Sequence, residues 1–250
     1  LPLQFPEAVN NPQAMVDYFR AWQPAYAAGT HRRYSNPSIG LFGYLAARSL
    51  GEPFDDLMEK TLFPAFGLKR TYIRVPKPLM ADYAWGYTKD DKPTRVTPGV
   101  LDSEAYGVKT TSADMIRFVE ANLSPAGLDD KMQRAIATAR TGYFKVGSMV
   151  QGLGWEMYAY PTPVSAILAG SSPQVVFEAN KVDRLEPPQA QTADVLVNKT
   201  GSTNGFGAYV VFVPAKRIGW VCRCGHTLPK KAPGQALQCQ ACGNEYTEHN

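Results

Sequence analysis

Cysteine is missing from the first 221 residues of this 250-residue chain, and all four cysteines lie between Cys222 and Cys242. The long cysteine-free segment therefore tolerates any redox compartment, whereas the tail is committed to sulfur chemistry. The length of the chain and its 44% hydrophobic content are enough for one large domain or two smaller ones.

Long apolar runs and clustered charge are missing as well. No stretch approaches the roughly 18 consecutive apolar residues that a membrane-spanning helix needs. The net charge of +4 is scattered rather than gathered into a basic stripe with interleaved aromatics, so we expect neither a membrane nor a nucleic acid as partner. The first residues, LPLQFPEAVNNPQ, lack a charged start followed by an apolar stretch, so we expect no signal peptide here. A leader has then been removed, or the chain begins inside a longer protein.

Helical patterns occupy the first half of the chain and strand patterns the second half. Capping residues and apolar spacing predict helices over 11–22, 36–50, 55–62, 112–123 and 129–140. In the second of these, one face is apolar and consists of Ile39, Phe42, Leu45 and Ala46. Later runs predict antiparallel strands over 143–151, 153–160, 174–182, 194–201, 207–213 and 217–221, with a proline-rich loop over 183–193. Helices followed by strands indicate an α+β fold.

Tyr34, Ser35 and Asn36 stand at the start of the second predicted helix. One interpretation is chemical, because a helix N-terminus stabilises negative charge and a phenol placed there could transfer protons. The other is structural: Asn36 caps the helix, Pro37 fills its first position and Tyr34 only packs.

Lys199, Thr200 and Gly201 form a second motif at the end of an apolar strand. The lysine offers a cation, the threonine a hydroxyl donor for a carboxylate, and the glycine close access to the backbone. An edge strand can also pair with a substrate amide. The alternative is a hairpin end with an incidental lysine.

The order Y-S-N and then K-T-G is similar to that of the penicillin-recognising serine hydrolases. Longer stretches resemble class C β-lactamases, the cephalosporinases, over essentially residues 1–221: YSNPSIGLFGYLAA, EAYGVKTTSADMIRFVEANL, QGLGWEMY and NKTGSTNGFGAYVVFVP. The resemblance implies a β-lactamase/transpeptidase-like fold and a periplasmic location. It also implies hydrolysis of cephalosporins and penicillins through a serine acyl-enzyme, without a cofactor.

The resemblance assigns a role to single residues. Tyr34 would shuttle protons, and Lys199 and Thr200 would bind the β-lactam carboxylate. The remaining substrate contacts would come from Asn36 on the side-chain amide, Tyr106 in the side-chain pocket, Glu156 near the acyl group, Gly201 beside the substrate and the Ser202 N–H in the oxyanion hole. Because a phenol has an unperturbed pKa near ~10, this role requires nearby cations and a helix end to lower the pKa of Tyr34 or to direct its hydrogen bond.

The family's nucleophile motif, S-x-x-K ahead of Y-S-N, is absent, since no serine here is followed by lysine three residues later. We therefore expect an N-terminally truncated class C segment over 1–221, which also lacks the closing strand and helix. Without the nucleophilic serine, the chain alone should not turn over β-lactams. A complementary N-terminal fragment would then be a further partner.

The tail, residues 222–250, forms a second unit with two cysteine pairs, Cys222 with Cys224 and Cys239 with Cys242. Each pair is followed by glycine, a pattern that resembles a zinc ribbon and predicts a structural Zn²⁺ site with these four cysteines as ligands. The first pair has one intervening residue rather than two, so His226 or His249 could replace a cysteine. Two disulfides or free thiols are the alternatives.

Three functions follow for the whole chain. It is an enzyme segment of the class C β-lactamase type, a penicillin-recognising remnant that binds without turnover, or a zinc-ribbon interaction module fused to a β-lactamase fragment. The missing S-x-x-K motif favours the second over the first for the chain in isolation.

Overall fold

The structure, a computed structural model, describes residues 1–218, the backbone of 219–221 and, in the tail, the backbone of 237–238 and 245–246. Its strands, numbered in chain order, are β1 His31–Arg32, β2 Gly86–Tyr87, β3 Pro93–Thr94, β4 Gly142–Val146, β5 Met149–Gln151, β6 Glu156–Ala159, β7 Asn180–Lys181, β8 Asp183–Gln189, β9 Val195–Thr203, β10 Phe206–Val213, β11 Ile218–Val221, β12 Leu237–Gln238 and β13 Glu245–Tyr246. The helices are α1 Pro12–Ala21, α2 Asn36–Leu50, α3 Phe54–Asp56, α4 Phe63–Ala65, α5 Asp102–Tyr106, α6 Ser112–Leu123, α7 Asp130–Ala139, α8 Val164–Gly170 and α9 Pro173–Phe177. A π-helical turn, Leu57–Leu62, joins α3 to α4.

A seven-stranded antiparallel sheet forms the centre, in the order β11-β10-β9-β6-β5-β4-β8. Short turns join β9 to β10 and β10 to β11, which confirms the expected pairing of these chain neighbours. The single strand expected over 143–151 is instead a hairpin, in which β4 and β5 pair across a turn at Gly147. The pairs β1–β7, β2–β3 and β12–β13 form two-stranded sheets. The α+β class is therefore confirmed.

Two further segments differ from the sequence prediction. The expected loop over 183–193 contains strand β8, which pairs with β4 at the sheet edge, where prolines without an N–H are tolerated. The expected strand over 174–182 begins as helix α9, because Ser172 Oγ accepts a hydrogen bond from the Val175 N–H at 3.4 Å and Pro173 takes the first helical position.

Alternating side chains of the sheet build a core on each of its faces. Val195, Val197, Met157 and Phe212 pack on one side with Val119 of α6. Leu196, Tyr158, Val211 and Val213 pack on the other side, against Ala166 and Ile167 of α8. The sheet is thus covered by helices on both faces, which holds the end of β9 in a rigid frame.

Helix α2 has the bounds that its flanking residues predict, but the face that it buries is not the apolar face read from the sequence. Gly51 ends it in the left-handed conformation with φ +77°. The buried positions are small: Pro37, Gly40, Gly43 and Ala47. A Cβ added at Gly40 would lie 2.7 Å from the Leu101 Cβ just ahead of α5, so this close packing requires glycine. The large apolar side chains of α2 point outward instead.

The predicted zinc ligands of the tail have no counterpart in the described structure. These ligands, Cys222, Cys224, Cys239 and Cys242, all lie outside the described residues. In the part that the structure covers, no group of three or more His, Cys, Asp or Glu side chains could hold a metal ion. The zinc site therefore has no support from the structure, and it stays a prediction together with the division of the chain at residue 221.

Membrane insertion was not expected from the sequence. Among the described residues no helix is long and apolar enough to cross a membrane.

Candidate active site

Ser35, rather than Asn36, caps helix α2. Its Oγ accepts a hydrogen bond from the Ser38 N–H at 3.2 Å, and Asn36 is the first residue inside the helix. The Asn36 N–H donates to the Leu3 carbonyl at 3.0 Å. The structural interpretation in which Asn36 caps the helix is therefore wrong, because Ser35 has that role.

The Lys199 side chain lies against the Tyr34 ring. Its Nζ is 5.1 Å from the ring centroid, within cation–π range. The same Nζ donates to the Thr200 carbonyl at 2.7 Å and lies 3.7 Å from Glu156 Oε1. The fold thus brings together three predicted site residues, Tyr34, Lys199 and Glu156, from the start of α2, from β9 and from β6.

Arg32 is a fourth member of this cluster that the sequence reasoning missed. Its Nη2 is 3.0 Å from Glu156 Oε1, and its Nε donates to Gln151 Oε1 at 2.8 Å. Its Nη1 donates to the Val175 carbonyl of α9 at 3.2 Å, and its Cζ is 5.9 Å from the Tyr34 ring centroid. Extended chain puts residues two apart on one side, so the spacing of Arg32 and Tyr34 was an available signal.

Burial dominates the electrostatics of the cluster. It raises the pKa of Tyr34; the Glu156 charge adds to the increase and Arg32 opposes it. Burial likewise lowers the pKa of Lys199, although the nearby Glu156 charge acts to raise it. Burial thus outweighs the Arg32 charge at Tyr34, so of the two expected alternatives the directed hydrogen bond stays a prediction. The site pairs a protonated phenol with an amine that gives up its proton more easily than usual.

The K-T-G strand presents an open backbone edge. β10 pairs with β9 over Val197–Thr203, whereas β6 pairs with it only over Val195–Asn198. In the described structure the β6-side edge of 199–203 is thus free to pair with an extended ligand. Thr200, Gly201 and Ser202 are exposed there. A Cβ added at Gly201 would lie 3.7 Å from the Ala208 Cβ, an ordinary contact, so packing within the protein does not require glycine at this position.

Asn36 and Tyr106 line a separate cavity of about 180 Å³. Its walls include Gln4 and Glu7 from the N-terminal segment and Gly99 from the loop before α5. Burial raises the pKa of Tyr106, with the Asp102 charge as a further cause, so its phenol stays protonated. The predicted residues therefore fall into two groups, one around Tyr34 and Lys199 and one around Asn36 and Tyr106. The groups are neighbours because Tyr34 and Asn36 are two residues apart in the chain.

The chain is similar to known β-lactamases over most of its length. A family model described as Beta-lactamase matches residues 1–225, so the match runs past Cys222 and Cys224 into the predicted tail. The chain is 56% identical over 229 residues to a β-lactamase of Pseudomonas fluorescens, which covers 92% of this chain and 64% of that protein. It is 46% identical over 228 residues to a β-lactamase of Lysobacter lactamgenus, covering 91% of this chain and 59% of the relative.

Solved structures show the same likeness. A β-lactamase/D-alanine carboxypeptidase from Pseudomonas syringae superposes with a TM-score of 0.87 at 50% identity, covering 90% of this chain and 64% of the other. A class C β-lactamase in complex with cefoxitin gives 0.84 at 46% identity, with 88% and 62% coverage. The fold expected from the resemblance is thereby confirmed. The chain spans less than two thirds of the length of each of these relatives.

Proposed function

Because the chain belongs to the β-lactamase family, we propose that it supplies the proton-transfer and carboxylate-binding side of a class C serine β-lactamase site. The observation that carries this proposal is the contact of Lys199 with the Tyr34 ring beside the open edge of β9. The substrates are β-lactams, cephalosporins and penicillins, and the whole enzyme follows the acyl-enzyme route in the periplasm.

Tyr34 and Lys199 have complementary proton affinities for this task. A buried phenol with a raised pKa keeps its proton at neutral pH, so it can donate that proton to the departing β-lactam nitrogen. The ammonium of Lys199, whose pKa is lowered, can then return a proton to the phenolate. Glu156 and Arg32 hold this pair in place through their shared ion pair.

The substrate is held by groups on both sides of Tyr34. The exposed Thr200 hydroxyl and the Lys199 ammonium bind the β-lactam carboxylate. The open edge of β9 pairs with the substrate amide, and the backbone N–H of Ser202 is one donor to the oxyanion. Asn36 and Tyr106 receive the acyl side chain in the neighbouring cavity, and Gly201 leaves the strand accessible.

The chain by itself should bind β-lactams without turning them over. No serine is followed by lysine three residues later, and the Ser35 Oγ already accepts the capping bond of α2. A penicillin-recognising chain that does not hydrolyse its ligand is therefore the second candidate function, and it follows from the missing nucleophile.

The test uses the full 250-residue chain, cefoxitin for binding by calorimetry and a chromogenic cephalosporin for turnover. Intact-mass spectrometry then detects a covalent adduct. We expect binding that Lys199→Met weakens at least tenfold, while Lys145→Met, at an exposed lysine on β4, leaves it unchanged. Equal binding by both variants would refute the role of Lys199. An adduct or turnover by the chain alone would show that one of its own residues acts as nucleophile.

A further inference from the structure

The cavity that Asn36 and Tyr106 line has an acidic residue at its opening. Among the described residues around this cavity of about 180 Å³, only Glu7 is charged. Glu7 is exposed as well as lining the cavity, so it stands where the cavity meets the solvent. None of the ion pairs within the described part of the chain includes Glu7. The opening of the cavity is therefore negatively charged.

A second acidic side chain acts on the wall of the cavity. Asp102, at the start of α5, is only 3% exposed and accepts hydrogen bonds from Arg74 at 2.7 and 3.0 Å. Burial raises the pKa of Tyr106 in the cavity wall, and the Asp102 charge adds to that increase. The pairing with Arg74 therefore leaves a negative potential at the wall, of the same sign as the charge of Glu7 at the opening.

The other walls of the cavity suit an apolar ring. Phe5, Val9, Pro37 and Leu101 line it with apolar side chains. Since an apolar cavity of about 150 Å³ binds benzene, the volume here is sufficient for a phenyl ring. When such a ring fills the cavity, the carbon that links it to the β-lactam amide lies nearer the opening, on the side of Glu7.

We infer that Glu7 is a specificity-determining residue, which selects β-lactams whose acyl side chain carries a protonated amine next to an apolar ring. The apolar walls receive the ring, and the Glu7 carboxylate attracts the ammonium group at the opening. The inference rests on the function proposed above, because it requires that the acyl side chain enters this cavity.

The same charge discriminates against an acidic side chain. A carboxylate on the carbon next to the ring has nearly the size of an ammonium group there but the opposite charge, so Glu7 repels it. Selection by charge therefore predicts a definite order of affinity: the cationic side chain binds best, the neutral one less well and the anionic one least. Selection by size alone predicts no such order.

The experiment measures binding of ampicillin, benzylpenicillin and carbenicillin to the full 250-residue chain by calorimetry. These three penicillins share a phenyl ring, and the carbon next to the ring carries an ammonium group, a hydrogen or a carboxylate respectively. The pH is about 6, where α-amino groups are protonated and carboxylic acids are ionised. We expect ampicillin to bind about threefold more tightly than benzylpenicillin, and carbenicillin about threefold more weakly, as for an exposed charge pair. Added salt should reduce both differences, because it screens exposed charges.

Two variants locate the source of the selection. Glu7→Gln should make the three affinities nearly equal, because it removes the charge and keeps the size of the side chain. Glu120→Gln is the control, at an exposed glutamate of α6 that does not line the cavity, and should preserve the differences. Since Glu7 is exposed, its substitution leaves the fold of the chain intact, and circular dichroism checks this.

The outcomes separate this inference from the proposed function. Equal affinity for the three penicillins, weakened alike by Lys199→Met, supports the proposed function and overturns the role of Glu7. Differences that persist in Glu7→Gln, or that Glu120→Gln removes as well, also overturn it. Failure of all three penicillins to bind refutes the proposed function and, with it, the selectivity that rests on it.

Discussion

Removing Arg32 should destabilise the protein far more than removing a surface arginine. The Arg32–Glu156 pair is nearly buried, with side chains 13% and 6% exposed, and Arg32 also donates hydrogen bonds to Gln151 and Val175. Breaking a buried pair leaves one charge without its partner, at a cost of about 3–5 kcal/mol. Lys199 stays 3.7 Å from Glu156 and compensates in part. We therefore expect Arg32→Met to lower the free energy of unfolding by about 3 kcal/mol, the low end of that range.

The assay is urea unfolding followed by circular dichroism. The control is Arg184→Met, which removes an ion pair of Arg184 with Glu186, both 66% exposed. An exposed pair of this kind contributes at most about 1 kcal/mol. The double variant Arg32→Met/Glu156→Leu should lose less stability than Arg32→Met alone, because it leaves no stranded carboxylate.

A second readout follows from the direction of the pKa shifts. Arg32 partly opposes the increase in the pKa of Tyr34, so its removal should raise that pKa further. NMR of ¹³C-labelled tyrosine, assigned with Tyr34→Phe, measures the change. Equal losses of stability for Arg32→Met and Arg184→Met, or a lowered pKa of Tyr34, would refute the reasoning.

Two other changes test the packing around the site. Tyr158→Phe should stabilise the protein by about 1 kcal/mol in urea unfolding, because the buried Tyr158 hydroxyl has no hydrogen-bond partner among the described residues. Burial, with the Glu156 charge, raises the pKa of Tyr158 to about 12, so the folded state keeps a proton that the unfolded state loses near its ordinary pKa of 10.0. The free energy of unfolding should thus fall as the pH rises between these two values, and it should fall less steeply in Tyr158→Phe. A Tyr158→Phe variant that is less stable than the original chain at pH 7 would contradict the expected stabilisation. Gly40→Ala should cost about 1–3 kcal/mol despite a gain in helix propensity of about 1 kcal/mol, since the added Cβ meets Leu101. Gly127→Ala, with nothing within 4 Å, is the control, and equal stability of the two variants would argue against close packing of α2 on α5.

The types of most elements could be predicted from local sequence. Proline at a helix start and glycine at its end act within a few residues, so α2 was placed with its ends correct. Ser172 and Pro173 offered the same start signal for α9, but the β-branched pair Val175 and Val176 favoured a strand. Strand β8 was missed because its two prolines suit only an edge position, and no local pattern tells which strand lies at an edge.

In the candidate site, too, the residues in local motifs could be predicted and those defined by contacts remote in sequence could not. The order of the two motifs identified Tyr34 and Lys199, because Y-S-N and K-T-G are short contiguous stretches that can be read directly from the sequence. Arg32 escaped notice because its partners Gln151, Glu156 and Val175 are remote in sequence. The apolar periodicity of α2 correctly predicted a helix, but it did not determine whether the apolar face points inward or outward. That depends on how closely α5 and the residue before it approach α2.

By itself the sequence determined the family, the class of fold and the residue types of the candidate site, because these depend on local patterns and motif order. Only the tertiary structure decided that Lys199 lies on the Tyr34 ring, that burial raises the pKa of the phenol, and that Ile39, Phe42 and Leu45 face outward. Distances, desolvation and burial are sums over neighbours from distant parts of the chain, and they have values only once those parts have packed together.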